Sequence, residues 1–225
     1  MTKPLIHEKA LTLRKSGYSI GAIAKKLSVS KSTVSGWCRD IALSEKQILL
    51  IAERSKHHAT ANLLFASEKQ RKERQRNTEK MEKMGKREIG KLSLRDIQLI
   101  GLGLYWGEGY KKGSQELGFT NSDPAMINFY IEWLEKIYKI SKTDLILRVS
   151  INNQHSDRTI EVVNYWSTVT NVPYSQFTKT SLLHIHSKKN YENSTTHFGT
   201  LRVKVRKGTN LRRRILGSIK AIKIT

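Results

Sequence analysis

Glu108 stands between Gly107 and Gly109 at the end of an apolar run, LIGLGLYWGEG. Taken alone, a carboxylate in that setting can satisfy backbone amides or a neighbouring lysine. His184 and His186 alternate along an extended stretch, so they share one face, but no third ligand lies nearby and paired sheet histidines explain them better than a metal. Cys38 is the single cysteine. It excludes a disulfide framework and a multi-cysteine zinc site, and with no catalytic partner in view it reads as structural. The carboxyl-terminal string LRVKVRKGTNLRRR is more informative: Arg202, Lys204 and Arg206 alternate with Leu201, Val203 and Val205. That period of two predicts a strand with one cationic and one apolar face, suited to a phosphate backbone or groove. Arg212, Arg213 and Arg214 extend the same patch.

The elements that must position these groups sit in a chain of 225 residues with 41 Lys+Arg against 19 Asp+Glu, a net charge of +22. Such a balance points to a polyanion, most often nucleic acid. Hydrophobic residues make up 38%, enough for a core, which excludes a disordered basic tail. The amino terminus lacks the apolar segment of a signal peptide, and no run approaches 18 apolar residues, so neither secretion nor a membrane span is expected. The expected location is cytoplasmic and DNA-associated. The charge is uneven. Residues 1–43 carry +6, residues 44–91 +6, residues 92–192 +1 and residues 193–225 +9. A near-neutral body is flanked by basic segments.

Residues 1–43 parse into three short helices. Gly17 ends the first, and Ser19 can cap a second with Ile20, Ile23, Ala24 and Leu27 inward. Ser28-Val29 makes the turn, and Ser30 caps a third helix with Val34 and Trp37 inward. Ala24 is the small residue where two helices cross closely. From Ile20 to Arg39 the segment resembles the helix-turn-helix of resolvases, transposases and many bacterial regulators, with Ser28 where that turn commonly has Gly. The resemblance implies that Lys31, Ser32, Thr33 and Ser35 face base edges in the major groove and that Arg39 meets a phosphate.

Residues 44–91 read as a charged helical connector. Ser44 and Gln47 form a capping-box pattern, and Glu interleaves with Lys and Arg from Ser67 to Lys91. A solvated spacer is the simpler reading, a phosphate-gripping helix the other; Gly85 and Gly90 predict a break before residue 91.

Residues 92–225 read as an α+β domain with a small, mostly antiparallel sheet. Ser93 opens an apolar helix whose Gly101 and Gly103 permit close helix packing. A strand at 117–120 leads to a helix opening at Asp123-Pro124 with the stripe Ile127, Tyr130, Ile131, Leu134, Ile137 and Tyr138. A strand at 145–151, a helix at 157–170 around Ile160, Val163 and Val169, strands at 182–187 and 200–205, and a basic helix at 211–222 complete the expected order.

The string GLGLYWGEG, residues 101–109, resembles the LAGLIDADG element of homing endonucleases and related DNA-binding domains. The resemblance places Gly103 on that motif's helix-packing glycine, Glu108 on its metal-binding acid and Gly109 on its closing glycine, with Trp106 at a position often acidic. Only one copy is present. In that family two motif helices pack together and each donates a carboxylate, so the resemblance implies a homodimer. Paired carboxylates there hold Mg²⁺, which activates water and stabilises the departing oxygen.

The expectation is a double-stranded DNA-binding protein with a helix-turn-helix and a LAGLIDADG-like body, acting in regulation or with a mobile element. The alternative is a Mg²⁺-dependent site-specific endonuclease using Glu108 from two chains. No small-molecule cofactor is expected, and the helix-turn-helix argues against RNA as the partner.

Overall fold

Two serines divide the first forty residues into α1 (Lys3–Lys15), α2 (Ile20–Leu27) and α3 (Lys31–Trp37). Ser19 accepts from the Ala22 amide and Ser30 from the Thr33 amide, satisfying donors that a helix start leaves open. The computed structural model describes residues 3–55, 59–111, 113, 115–184 and 197–224. Between α2 and α3 the chain turns on Ser28, which takes the left-handed conformation at φ 54° despite its Cβ. Ala10, Ile23, Ala24, Val34 and Cys38 form a small core where the three helices meet.

Helices α4 (Glu45–Ser55) and α5 (Ala59–Ile89) belong to the same compact unit, which ends at Gly90. The Ser44 hydroxyl accepts from the Gln47 amide, while Gln47 Oε1 accepts from the Ser44 amide. Gln47 Nε2 also donates to the Lys15 carbonyl at the end of α1, and Arg54 lies over the Tyr18 ring, so α4 is fastened to the turn after α1. Ile48 and Ile51 of α4 are buried with Leu43, and Leu64 of α5 packs against them. Gly85 does not break α5, contrary to the sequence expectation. One glycine costs a helix interior about 1 kcal/mol, too little to stop a 31-residue helix. The helix stops at Gly90, whose φ of +56° only glycine adopts without strain.

The second unit, residues 91–225, runs α6 (Leu94–Glu108), β1 (Gly118–Asn121), α7 (Pro124–Tyr138), β2 (Leu145–Asn152), α8 (Thr159–Thr170), β3 (Ser181–Leu183), β4 (Thr200–Val205) and α9 (Thr209–Ile224). A capping box joins Ser93 and Asp96 at the start of α6, and the hydrogen bonds from Ser93 hold the Asp96 carboxyl below its ordinary pKa. The strand order is β1-β4-β2-β3. Pairing is antiparallel except at β2-β3, so the sheet is mixed.

Alternation puts Leu145, Leu147, Val149 and Ile151 of β2 and Leu201, Val203 and Val205 of β4 on one buried face, where side chains of all four helices of this unit complete the core. The opposite face carries the polar residues. Two core expectations change. Ile160 is 67% exposed because α8 starts only at Thr159, and Val162 is buried instead beside Val163 and Trp166. Trp133, outside the expected stripe of α7, is fully buried.

Trp133 explains one glycine of α6. A Cβ on Gly101 would lie 2.3 Å from the indole, whereas a Cβ on Gly103 would meet nothing within 4 Å. The helix-packing role within the chain therefore falls to Gly101, and Gly103 is exposed. Gly109, the string's closing glycine, terminates α6 and bridges to Phe119. Gly101→Ala should destabilise the protein by about 1–3 kcal/mol through overpacking. Gly103→Ala should be neutral or stabilising by up to about 1 kcal/mol. Chemical denaturation measures both.

Candidate nucleic-acid interface

The third helix presents Lys31, Ser32, Thr33 and Ser35 as exposed side chains and Arg39 is exposed in the turn after it, while Val34 and Cys38 turn inward. The Ser30 hydroxyl contacts those of Ser32 at 2.9 Å and Thr33 at 2.8 Å. Two of the five are thus tied to the helix cap, leaving Lys31, Ser35 and Arg39 as the freer side chains. Behind this face Arg14 is buried, and its Nη1 donates to the Tyr18 carbonyl. Burial lowers the Arg14 pKa and raises that of the Cys38 thiol, whose Sγ donates to the Ala10 carbonyl. A thiol so placed is structural, not nucleophilic.

In the second unit the polar sheet face holds Arg202 and Lys204 of β4. Arg206 lies just past the strand end, exposed. Lys204 is ion-paired with Glu116, so part of its charge is already answered. Arg148, which the sequence reading passed over, sits on β2 directly opposite Arg202. Its place on the polar face follows from the alternation LILRVSIN, but its neighbour follows only from the strand register. Like charges across a strand pair repel. The Nε atoms of both arginines are buried and find no acceptor among the described residues. An anion lying on this face would offset the repulsion between the two guanidinium groups.

The triple arginine divides. Arg212 is only 6% exposed and is no part of a surface patch. Its Nε donates to the Tyr110 carbonyl and its Nη2 to the Lys111 carbonyl, clamping the segment after α6. The reason is the helical period: Arg212, Ile215 and Ile219 fall on the inward face of α9. Arg213 remains exposed, bonded to Asn210, and Arg214 is exposed over the Tyr138 ring.

Glu108 is exposed at the last turn of α6. At the same helix end Lys111 Nζ donates to the carbonyls of Trp106 and Gly107, placing a cation where the helix dipole favours one. Among the described residues no three His, Cys, Asp or Glu side chains converge on a metal-sized site. One carboxylate beside a lysine-capped helix end does not fit a divalent cation within a single chain. His184 is exposed; His186, Lys188 and Lys189 lie outside the described residues. Asn121 and Asp123 act as turn and cap, Asp123 accepting from the Ala125 amide.

Residues 3–34 match the family described as the helix-turn-helix domain of resolvase. The match covers α1, α2 and the first half of α3, and so establishes an amino-terminal helix-turn-helix. No curated protein and no solved structure matches the chain. No helix among the described residues is long and apolar enough to cross a membrane.

The clamp and the exposed arginine separate by stability. Arg212→Ala strands two carbonyls and should cost about 2 kcal/mol or more, whereas Arg213→Ala should stay within about 0.5 kcal/mol of the parent in thermal or denaturant unfolding.

Proposed function

We propose that this protein binds double-stranded DNA, reading sequence with α3 and gripping phosphates with the polar sheet face of its second unit. The observation that carries the reading is the coincidence of the resolvase-type match at residues 3–34 with an exposed Lys31 and Ser35 on α3 and an exposed Arg39 just past its end. A helix-turn-helix lays its second helix in the major groove, where the amino-terminal residues meet base edges. Ser32 and Thr33 contribute through the cap they share with Ser30, and Arg39 answers a phosphate. The sheet adds Arg148, Arg202 and Arg206, with Lys204 partly committed to Glu116. Arg213 and Arg214 remain as outlying cations. The role is regulatory or tied to a mobile element.

The LAGLIDADG-like string supports a homodimer more than a nuclease. Leu99, Ile100, Gly103 and Gly107 form an exposed arc of α6, with Trp106 on the same side at 39% exposure. Added Cβ atoms at Gly103 and Gly107 would meet nothing within 4 Å, so a second copy of this helix could approach closely there. One helix-turn-helix covers little DNA, and two half-sites answer that limit. Cleavage would need Glu108 from both copies and is the secondary reading.

Three measurements test this. Lys31→Ala with Ser32→Ala and Ser35→Ala should lower affinity for a selected site about tenfold or more in gel shifts while leaving non-specific binding nearly unchanged. Equal losses on every sequence would remove α3 from the reading role. The mass in solution should be that of a dimer, and Gly103→Glu should make it a monomer; a parent that is monomeric on DNA would sink the paired-helix arrangement. Glu108→Gln should leave DNA affinity within about twofold, because an exposed carboxylate repels phosphate rather than binding it.

A further inference from the structure

Helix α5 sorts its charges by face. Lys69, Lys72, Arg76, Lys80, Lys83 and Arg87 recur at spacings of three and four and form one stripe, all exposed. Glu68, Glu79 and Glu82 fall to one side of it. The two ends of the stripe differ. Lys69 and Lys72 line a groove with Glu45, Glu68 and Glu73, which offset them. Arg76 lines the same groove, and Lys80, Lys83 and Arg87 stand beyond it.

No ion pair holds these four among the described residues. The pair found within α5 is Glu68–Arg71, on a neighbouring face, where Arg71 keeps the Glu68 carboxyl below its ordinary pKa. Glu79 stands four residues before Lys83, a favoured helical pairing, yet it accepts from Gln75 Nε2 instead. A second groove, which sets Glu79 and Glu82 beside Arg39 and Arg71, takes up an adjoining face of α5. Glu79 and Glu82 thus lie toward Arg39 and Asp40, while Lys80, Lys83 and Arg87 line neither groove.

We infer that Arg76, Lys80, Lys83 and Arg87 form a second DNA-backbone contact, sequence-independent and belonging to the same unit as the helix-turn-helix. This rests on the proposed DNA binding. The helix from Arg76 to Arg87 spans about 17 Å, roughly half a turn of duplex, so one row of cations can follow several phosphates of one strand. Charge complementarity selects the occupant. A row of exposed cations held in no ion pair, with Met84 as its apolar neighbour, fits a polyphosphate better than an apolar protein or lipid surface. The contact supplies grip that short hydroxyl side chains on α3 lack.

The test is the salt dependence of duplex binding by the full chain. Each phosphate contact contributes about 0.9 to the slope of log affinity against log salt. Replacing Arg76, Lys80, Lys83 and Arg87 together with Gln should reduce that slope by about 3 to 4, equally on specific and random duplexes. Glutamine keeps the helix, which circular dichroism checks. Lys80→Arg with Lys83→Arg should retain the slope, and Arg74→Gln with Lys86→Gln, off the stripe, should change it by less than about half a unit. A wild-type slope in the fourfold variant would overturn the contact while leaving DNA binding intact. Failure of the parent chain to bind any duplex would overturn both readings. Stripe-dependent binding to anionic phosphatidylserine vesicles in preference to duplex would also overturn the contact.

Discussion

The second unit depends on how closely α6 approaches α7. The Trp133 indole occupies the space that any side chain at position 101 would need, so glycine there is a steric requirement. Burying a tryptophan removes a large apolar area from water and makes a strong local contribution to the core. Tyr105, Tyr130 and Phe119 pack around the same point, with Phe119 and Tyr130 stacked at 4.6 Å. Once α6 is turned to meet Trp133, its opposite arc must face outward, and Gly103, Gly107 and Leu99 are left at the surface. The packing inside the chain thus decides which glycines are available to a partner.

The same packing sorts the cations. A net charge of +22 does not mean 22 uncommitted positive groups. Arg14 and Arg212 are spent on backbone carbonyls inside the fold, Lys111 caps α6, and Arg71, Arg158 and Lys204 are ion-paired. The carbonyls held by the buried Arg14 and Arg212 would otherwise be stranded, so those two placements are worth more to stability than an exposed ion pair. What remains outward is densest along α5, with further cations on α9 and on the polar sheet face. The buried Nε atoms of Arg148 and Arg202 stand apart, because their register forces two like charges together without an internal anion.

Local signals made much of the architecture legible before the fold was known. Serine caps at Ser19, Ser30, Ser44 and Ser93 are determined within four residues, as are the Pro124 start of α7 and the alternation of β2 and β4. These depend on hydrogen bonds and periodicity that neighbours along the chain supply. Gly85 misled for the complementary reason. A local propensity of about 1 kcal/mol is easily overridden by the rest of a long helix.

By itself, then, the sequence determined the helix-turn-helix, the α+β order of the second unit, and the presence of a strongly basic surface. Tertiary structure decided which residues act. Arg212 belonged to the outward patch by charge and to the interior by its phase on α9, a distinction that exists only once that face has a core to meet. Arg148 became a candidate contact only when β4 paired beside β2. Trp133, not the stripe of α7, chose the packing glycine. Composition and spacing are properties of the chain; whether a charge is committed or free depends on what lies across from it in space.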